Sequence, residues 1–179
     1  MTVTVTPTES NILTALRSFM TAILPSSVDV VRGQDNRVAE PDGSDFVVMT
    51  PIMRSRIATN TDTYLDSYPS TPQQQTLTAP WMWTVQLDFH GPSSADYSQI
   101  FTQLFRDDYA VQQFGTSGFD VTPLYCEDAK QVPYMNAQQQ VERRWVIDCL
   151  LQANEAVVVS QEFADALEIG LVDVPVVYP

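Results

Sequence analysis

The sequence predicts an α+β fold: a mainly antiparallel, twisted β-sheet with helices packed on one face, plus a long β-hairpin arm. Three observations carry that expectation. Trp81–His90 and the run Gln140–Gln152 alternate apolar and polar residues with the period of half-buried strands. The stretches after Thr8 and after Ser93 space their apolar residues as helical stripes. Between Thr59 and Thr78 the chain is rich in Thr, Ser and Gln and has no apolar period. The predicted order is α, β, β, arm, β, α, β, β, α, β. Hairpin-type connections then favour an antiparallel sheet layered with helices.

The elements follow in order. Residues 1–9 form an extended leader. Thr8 or Ser10 caps a helix whose stripe is Ile12, Leu13, Leu16, Phe19, Met20, Ile23 and Leu24, and Pro25 ends it. Val28–Val31 is a short strand, and Asp45–Ile57 is apolar and β-rich. Residues 58–80 form a protruding arm or loop, since a segment this long and polar does not belong to a core. In Trp81–His90, residues Trp81, Trp83, Val85, Leu87 and Phe89 share the inward face. Ser93, with Asp96 three residues on, resembles a capping box. The helix after it buries Tyr97, Ile100, Phe101, Leu104, Phe105 and Val111, while Asp107 and Asp108 face solvent. Asp120–Tyr125 and Gln140–Gln152 are strands, the latter with Trp145, Ile147, Cys149 and Leu151 inward. Residues 156–179 hold a short helix, Gln161–Ile169, stopped by Gly170, and an extended tail.

The chain has 179 residues, which suits one domain over 1–179. Nine Lys and Arg stand against 22 Asp and Glu, a net charge of -13. That balance opposes a protein that grips nucleic acid, because binding needs cations to displace phosphate counterions. It permits DNA to pass beside acidic walls, repelled over about 8–10 Å. No run approaches the ~20 apolar residues of a membrane span. The opening MTVTVTPTES lacks the pattern of a signal peptide, and Cys126 and Cys149 have no metal-like spacing. A reduced, cytosolic origin fits both cysteines.

Catalytic candidates are sparse. His90 is the lone histidine; it lies on one face with Asp88, and one histidine cannot make a multi-histidine metal site. No GxSxG elbow is present. Cys149 alternates with core residues and reads as core; Cys126 is the other thiol within a conceivable Cys–His pair. Glu127 and Asp128 are adjacent, so a regular element cannot aim both at one centre. GTSGFD lacks the lysine of a phosphate loop. No cofactor or metal is expected.

The loop VVRGQDNRVAEP offers Arg32, Gln34, Asp35, Asn36 and Arg37, with neither histidine nor cysteine. In so acidic a chain its arginines should find carboxylates, within a subunit or across a boundary. An ordinary polar turn and an assembly surface both account for it. Arg54 and Arg56, in RSRIATN, join the candidate interface set.

The blocks VVRGQDNRVAEP, FVVMTPIMRSRIATNTDTY, TVQLDFHGPSSADYSQIFTQLFRDDYA, PLYCEDAKQVPYMNAQQQVERRWVIDCLLQAN and VVVSQEFADALEIGLVDV, in that order, resemble the neck-terminator or tail-terminator proteins of tailed bacteriophages. The resemblance runs from about Ile12 to Tyr178. It implies a structural virion protein with a terminator-like fold, assembled in the host cytoplasm as a homo-oligomeric, hexameric ring. Such a ring caps the tail tube, joins the neck or connector protein, meets the sheath in contractile phages, and passes DNA through its lumen without binding it. No membrane is involved. Tyr64 and Tyr68 on the arm are then plausible anchors, since aromatics are enriched in interface cores. Two readings compete: another head–tail connector or minor tail protein, and a small cytosolic enzyme built on Asp88, His90 and Cys126.

Overall fold

The computed structural model describes residues 3–34, 41, 43–66, 73–135 and 139–161. Two strands of 17 residues form its spine, β5 (Gln74–His90) and β10 (Arg144–Ser160). They pair antiparallel over their whole length, from Arg144 opposite His90 to Ser160 opposite Gln74. At about 3.3 Å per residue each spans roughly 55 Å. Along one side of β5 lie β3 (Phe46–Arg56), opposite Trp81–His90, and then β4 (Thr61–Leu65), opposite Gln74–Thr78. The strand β2 (Asp29–Arg32) adds outside β3, in parallel. Along the outer side of β10 lie β7 (Lys130–Gln131), β6 (Val121–Cys126) and β1 (Val5–Thr6) in succession. A separate two-stranded ribbon joins β8 (Tyr134–Met135) to β9 (Val141–Glu142). The sheet is therefore α+β and, apart from the β2–β3 pair, antiparallel among the described residues.

Helices close one face of the spine's body. Helix α1 (Glu9–Ile23) starts at Thr8, whose hydroxyl accepts from the Asn11 amide while the Asn11 side chain accepts from the Thr8 amide at 2.9 Å. This reciprocal cap satisfies two donors that the first turn leaves open. Its stripe is buried as its spacing requires: Ile12, Leu13, Leu16, Phe19 and Met20 are all 5 % exposed or less. Gly91, at φ 101°, turns the chain from β5 into α2 (Ser94–Phe105); a Cβ there would sit 2.1 Å from the Ser44 carbonyl oxygen.

The second helical stretch differs from expectation. The chain breaks after Phe105, and α3 (Asp108–Gly115) begins anew with the Asp107 carboxylate accepting from the Tyr109 amide. The break shifts the helical phase. Ala110 and Phe114 become the buried residues and Val111 is exposed at 49 %; Ile100, within α2 before the break, is also exposed, at 38 %. Ser93 makes no side-chain cap either; its amide donates to Asp45 Oδ1 at 2.8 Å. Phe19 of α1 meets Phe101, Phe105 and Phe114 at ring distances of 5.6–5.8 Å, which ties the three helices into one apolar centre over β5 and β10.

β10 starts later and runs eight residues further than Gln140–Gln152 predicts. Those added residues matter, because they pair with Gln74–Trp81 of β5. The arm is therefore a multi-stranded extension of the sheet: β4, the start of β5, the end of β10, and β1 at its base. The predicted helix Gln161–Ile169 and the extended tail lie outside the described residues from 162 onward. Among the described residues no helix is long and apolar enough to cross a membrane.

Candidate assembly surface

The predicted surface residues fall into three groups. Arg32 ends β2 and forms an ion pair with Glu9 at the start of α1, so this arginine has a partner within its own subunit. Gln34 follows in the left-handed region, at φ 61°. Asp35, Asn36, Arg37 and Tyr68 lie outside the described residues.

Arg54 and Arg56 stand on the far half of β3, past the bulge between Pro51 and Met53. The bulge puts both on the sheet face that carries the helices. The Arg54 guanidinium lies 5.7 Å from the ring centres of both Trp81 and Trp83, a cation–π arrangement. Arg56 donates to the Ala58 carbonyl at 2.7 Å and to the Asn60 side chain. Tyr64 sits on β4, which is exposed over its full length; Tyr64 and Leu65 are 58 % and 54 % exposed. The Tyr64 hydroxyl accepts from Gln75 Nε2 at 3.2 Å. The structure thus spreads these residues along one side of the sheet, β2 to β3 to β4, and converges them on no common cavity.

The catalytic candidates are held in structural roles. Asp88 is buried and accepts from Arg144 and Gln86. The His90 ring stacks on Phe46, with centroids 4.6 Å apart and planes 6° from parallel. Cys126 and Cys149 are buried free thiols opposite one another on β6 and β10. Cys149 Sγ donates to the Val85 carbonyl at 3.2 Å, and burial pushes both thiols up, away from the reactive thiolate.

Sequence reasoning missed two features. Glu155 is buried and accepts from Trp83 Nε1 at 2.7 Å, a link over 72 residues that fixes the base of the arm. Asp148 carries a buried Oδ1 without a hydrogen-bond partner, on the sheet face that none of the described helices covers. Burial raises its carboxyl above the usual range, as do the carboxylates Glu127 and Asp88, against the lowering effect of Lys130. Nothing in the local sequence distinguishes either residue from a solvated carboxylate.

Exposed large apolar side chains follow the sheet edges: Ile52, Met53 and Ile57 on the β3 side, Leu124 and Tyr125 on the β6 side. Edge strands with apolar side chains are surfaces for other chains to cover. No curated protein matches the chain. The family model for phage neck terminator proteins matches residues 10–175, so the chain belongs to that family and is a structural protein of the phage neck and tail.

Proposed function

We propose that the chain forms a hexameric ring at the neck that terminates the tail tube and joins it to the head or connector, with DNA passing through the lumen. The family match over residues 10–175 carries this reading. The net charge of -13 supports it, because a channel wall that must release DNA benefits from repulsion and not from cations. The subunits assemble in the host cytoplasm, act without catalysis or cofactor, and contact tail tube protein, connector and, in contractile tails, sheath. The contact surfaces are the β2–β3 side with Arg32, Gln34, Arg54 and Arg56, and the arm with Tyr64; the segment of Asp35, Asn36 and Arg37 and the arm residue Tyr68 belong to the same surfaces.

The test is the native mass of the purified protein by light scattering, with negative-stain images of the same peak, alone and after addition of polymerised tail tube. Rings, free or on tube ends, are the expected result. A protein that stays monomeric and leaves tube ends bare overturns the reading. Binding to the portal side with no affinity for tube would instead favour a head–tail connector.

A further inference from the structure

We propose that the two opposite edges of the sheet form one head-to-tail contact: the arginine edge of β3 in one subunit docks against the aspartate edge of β6 and α3 in a second copy. The proposal rests on the ring reading above and names the surface that closes the ring.

The two edges differ in which charges lack a partner of opposite sign, although Asp62 and Asp66 also lie on the first side and the paired Arg106 and Lys130 on the second. On the β3 edge, Arg54 and Arg56 are exposed and form no ion pair among the described residues; their partners there are two tryptophan rings, a carbonyl and an asparagine. On the opposite edge, Asp108 and Asp120 are exposed and engage only the uncharged side chains Gln112 and Asn154. Among the described residues Arg17 and Arg143 also lack an ion pair, but Arg54 and Arg56 are the two that stand together on one open sheet edge, which gives that edge an oriented positive surface.

Apolar side chains and sheet register agree. Met53 is opposite Thr84, Thr84 opposite Leu150, and Leu150 opposite Tyr125, so one row runs across the sheet from exposed Met53 to exposed Tyr125. A second row runs from Arg56 through Trp81 and Ala153 to Val121, next to Asp120. Residues opposite one another share a face. Met53 and Tyr125 therefore both lie on the face that no described helix covers, whereas Arg54 and Arg56 lie on the face of α3, which carries Asp108. A rotation about an axis along the strands keeps each row at its height. It brings Met53 toward the neighbour's Tyr125 and the arginines toward the neighbour's Asp108, while Asp120, held by Asn154, stays on the Tyr125 face. Such a heterologous contact closes into a ring when the rotation divides the circle.

Both edges are blunted against simple strand addition. Each carries a proline and a register irregularity, Pro51 on β3 and Pro123 on β6. The contact is thus made by side chains, which discourages open-ended edge-to-edge polymers.

The experiment uses the full chain in Met53→Cys and Tyr125→Cys variants, treated with a short bismaleimide after assembly, alone or on tail tube. The native thiols are buried and stay unlabelled in the fold. The expected pattern is no cross-link with either single variant, a dimer when the two are mixed, and a ladder for the double variant. Arg54→Glu with Arg56→Glu should abolish that ladder, and adding Asp108→Lys should restore it, with circular dichroism confirming folded subunits. Cross-linking within Met53→Cys alone would mean a two-fold contact and overturn the proposal. Assembly that proceeds with no mixed cross-link, or with the arginines reversed, overturns it while leaving the ring reading intact. Absence of any assembly in the unmodified protein sinks both.

Discussion

Asp88 and Arg144 form a partly buried ion pair across the two spine strands: Arg144 Nε and Nη2 both donate to Asp88 Oδ1, at 3.1 and 2.7 Å. Asp88 is opposite Val146, so the guanidinium reaches one row along β5 to close the pair. The Asp88 side chain is 8 % exposed, and Gln86 Nε2 also donates to it, at 2.9 Å. Removing the cation would strand a buried carboxylate, which costs more than the pair itself contributes. Arg144→Met keeps the apolar stem and should lower unfolding stability by about 2–4 kcal/mol. Adding Asp88→Asn should recover part of that loss. Urea unfolding of the single and double variants measures both, and a loss under about 0.5 kcal/mol would place the pair among ordinary surface contacts.

Asp148 has the opposite character. Its carboxyl titrates above the ordinary aspartate range because burial and the carboxylates Glu127 and Asp88 disfavour its charge, despite Lys130. With a folded pKa above the unfolded one, the unfolded chain loses this proton first as pH rises. The residue's contribution therefore becomes unfavourable as pH climbs from the unfolded pKa through the folded one, and its penalty is complete above both. Asp148→Asn should raise the melting temperature at neutral pH, with the gain shrinking to nothing in acid below both pKa values. A gain that is flat with pH would assign the effect to hydrogen bonding alone.

Trp83 and Glu155 join the body to the arm. The indole Nε1 donates to the Glu155 carboxylate at 2.7 Å, and both residues are buried. Trp83→Phe retains most of the ring and deletes the donor. The carboxylate is then left without that bond, at a cost of about 1–3 kcal/mol. Hydrogen exchange should show the protection of residues 74–79 and 154–159 falling further than that of 84–90. Uniform loss along β5 would mean the bond stabilises the body as a whole.

The parts of the fold that were legible in the sequence are those with one strongly apolar face. In Trp81–His90 that face is buried through Trp83, Val85, Leu87 and Phe89, although Thr84 and Asp88 on the polar face are buried as well. The end of β10, NEAVVVS, shows no such contrast, since the arm's faces are both partly exposed; its strand character follows from pairing with β5, which lies some 70 residues away. The break at Arg106–Asp107 was hidden because Asp107 reads equally well as a solvated charge and as a cap. Arg32 was foreseeable as a paired cation, but the identity of its partner, Glu9, depends on where α1 lies against β2. Which edges Arg54, Arg56 and Asp108 come to occupy is a property of strand order and helix packing, which no local pattern contains.

The arm provides the last prediction. Every residue of β4 is exposed, and its outer edge pairs with no strand among the described residues. Tyr64 and Leu65 place large apolar area on that edge, where none of the described helices packs. Such an edge invites aggregation unless a partner protects it. Since those side chains contribute little burial to the isolated subunit, Tyr64→Ala with Leu65→Ser should change its stability by no more than about 0.5 kcal/mol. If the arm contacts the tail tube, the same double variant should weaken capture on tube ends at least tenfold, which corresponds to about 1.4 kcal/mol of binding. Thermal melting and co-sedimentation with polymerised tube separate the two effects. Unchanged capture would remove the arm from the tube contact, and a large fall in melting temperature would show that the arm is part of the subunit's own fold.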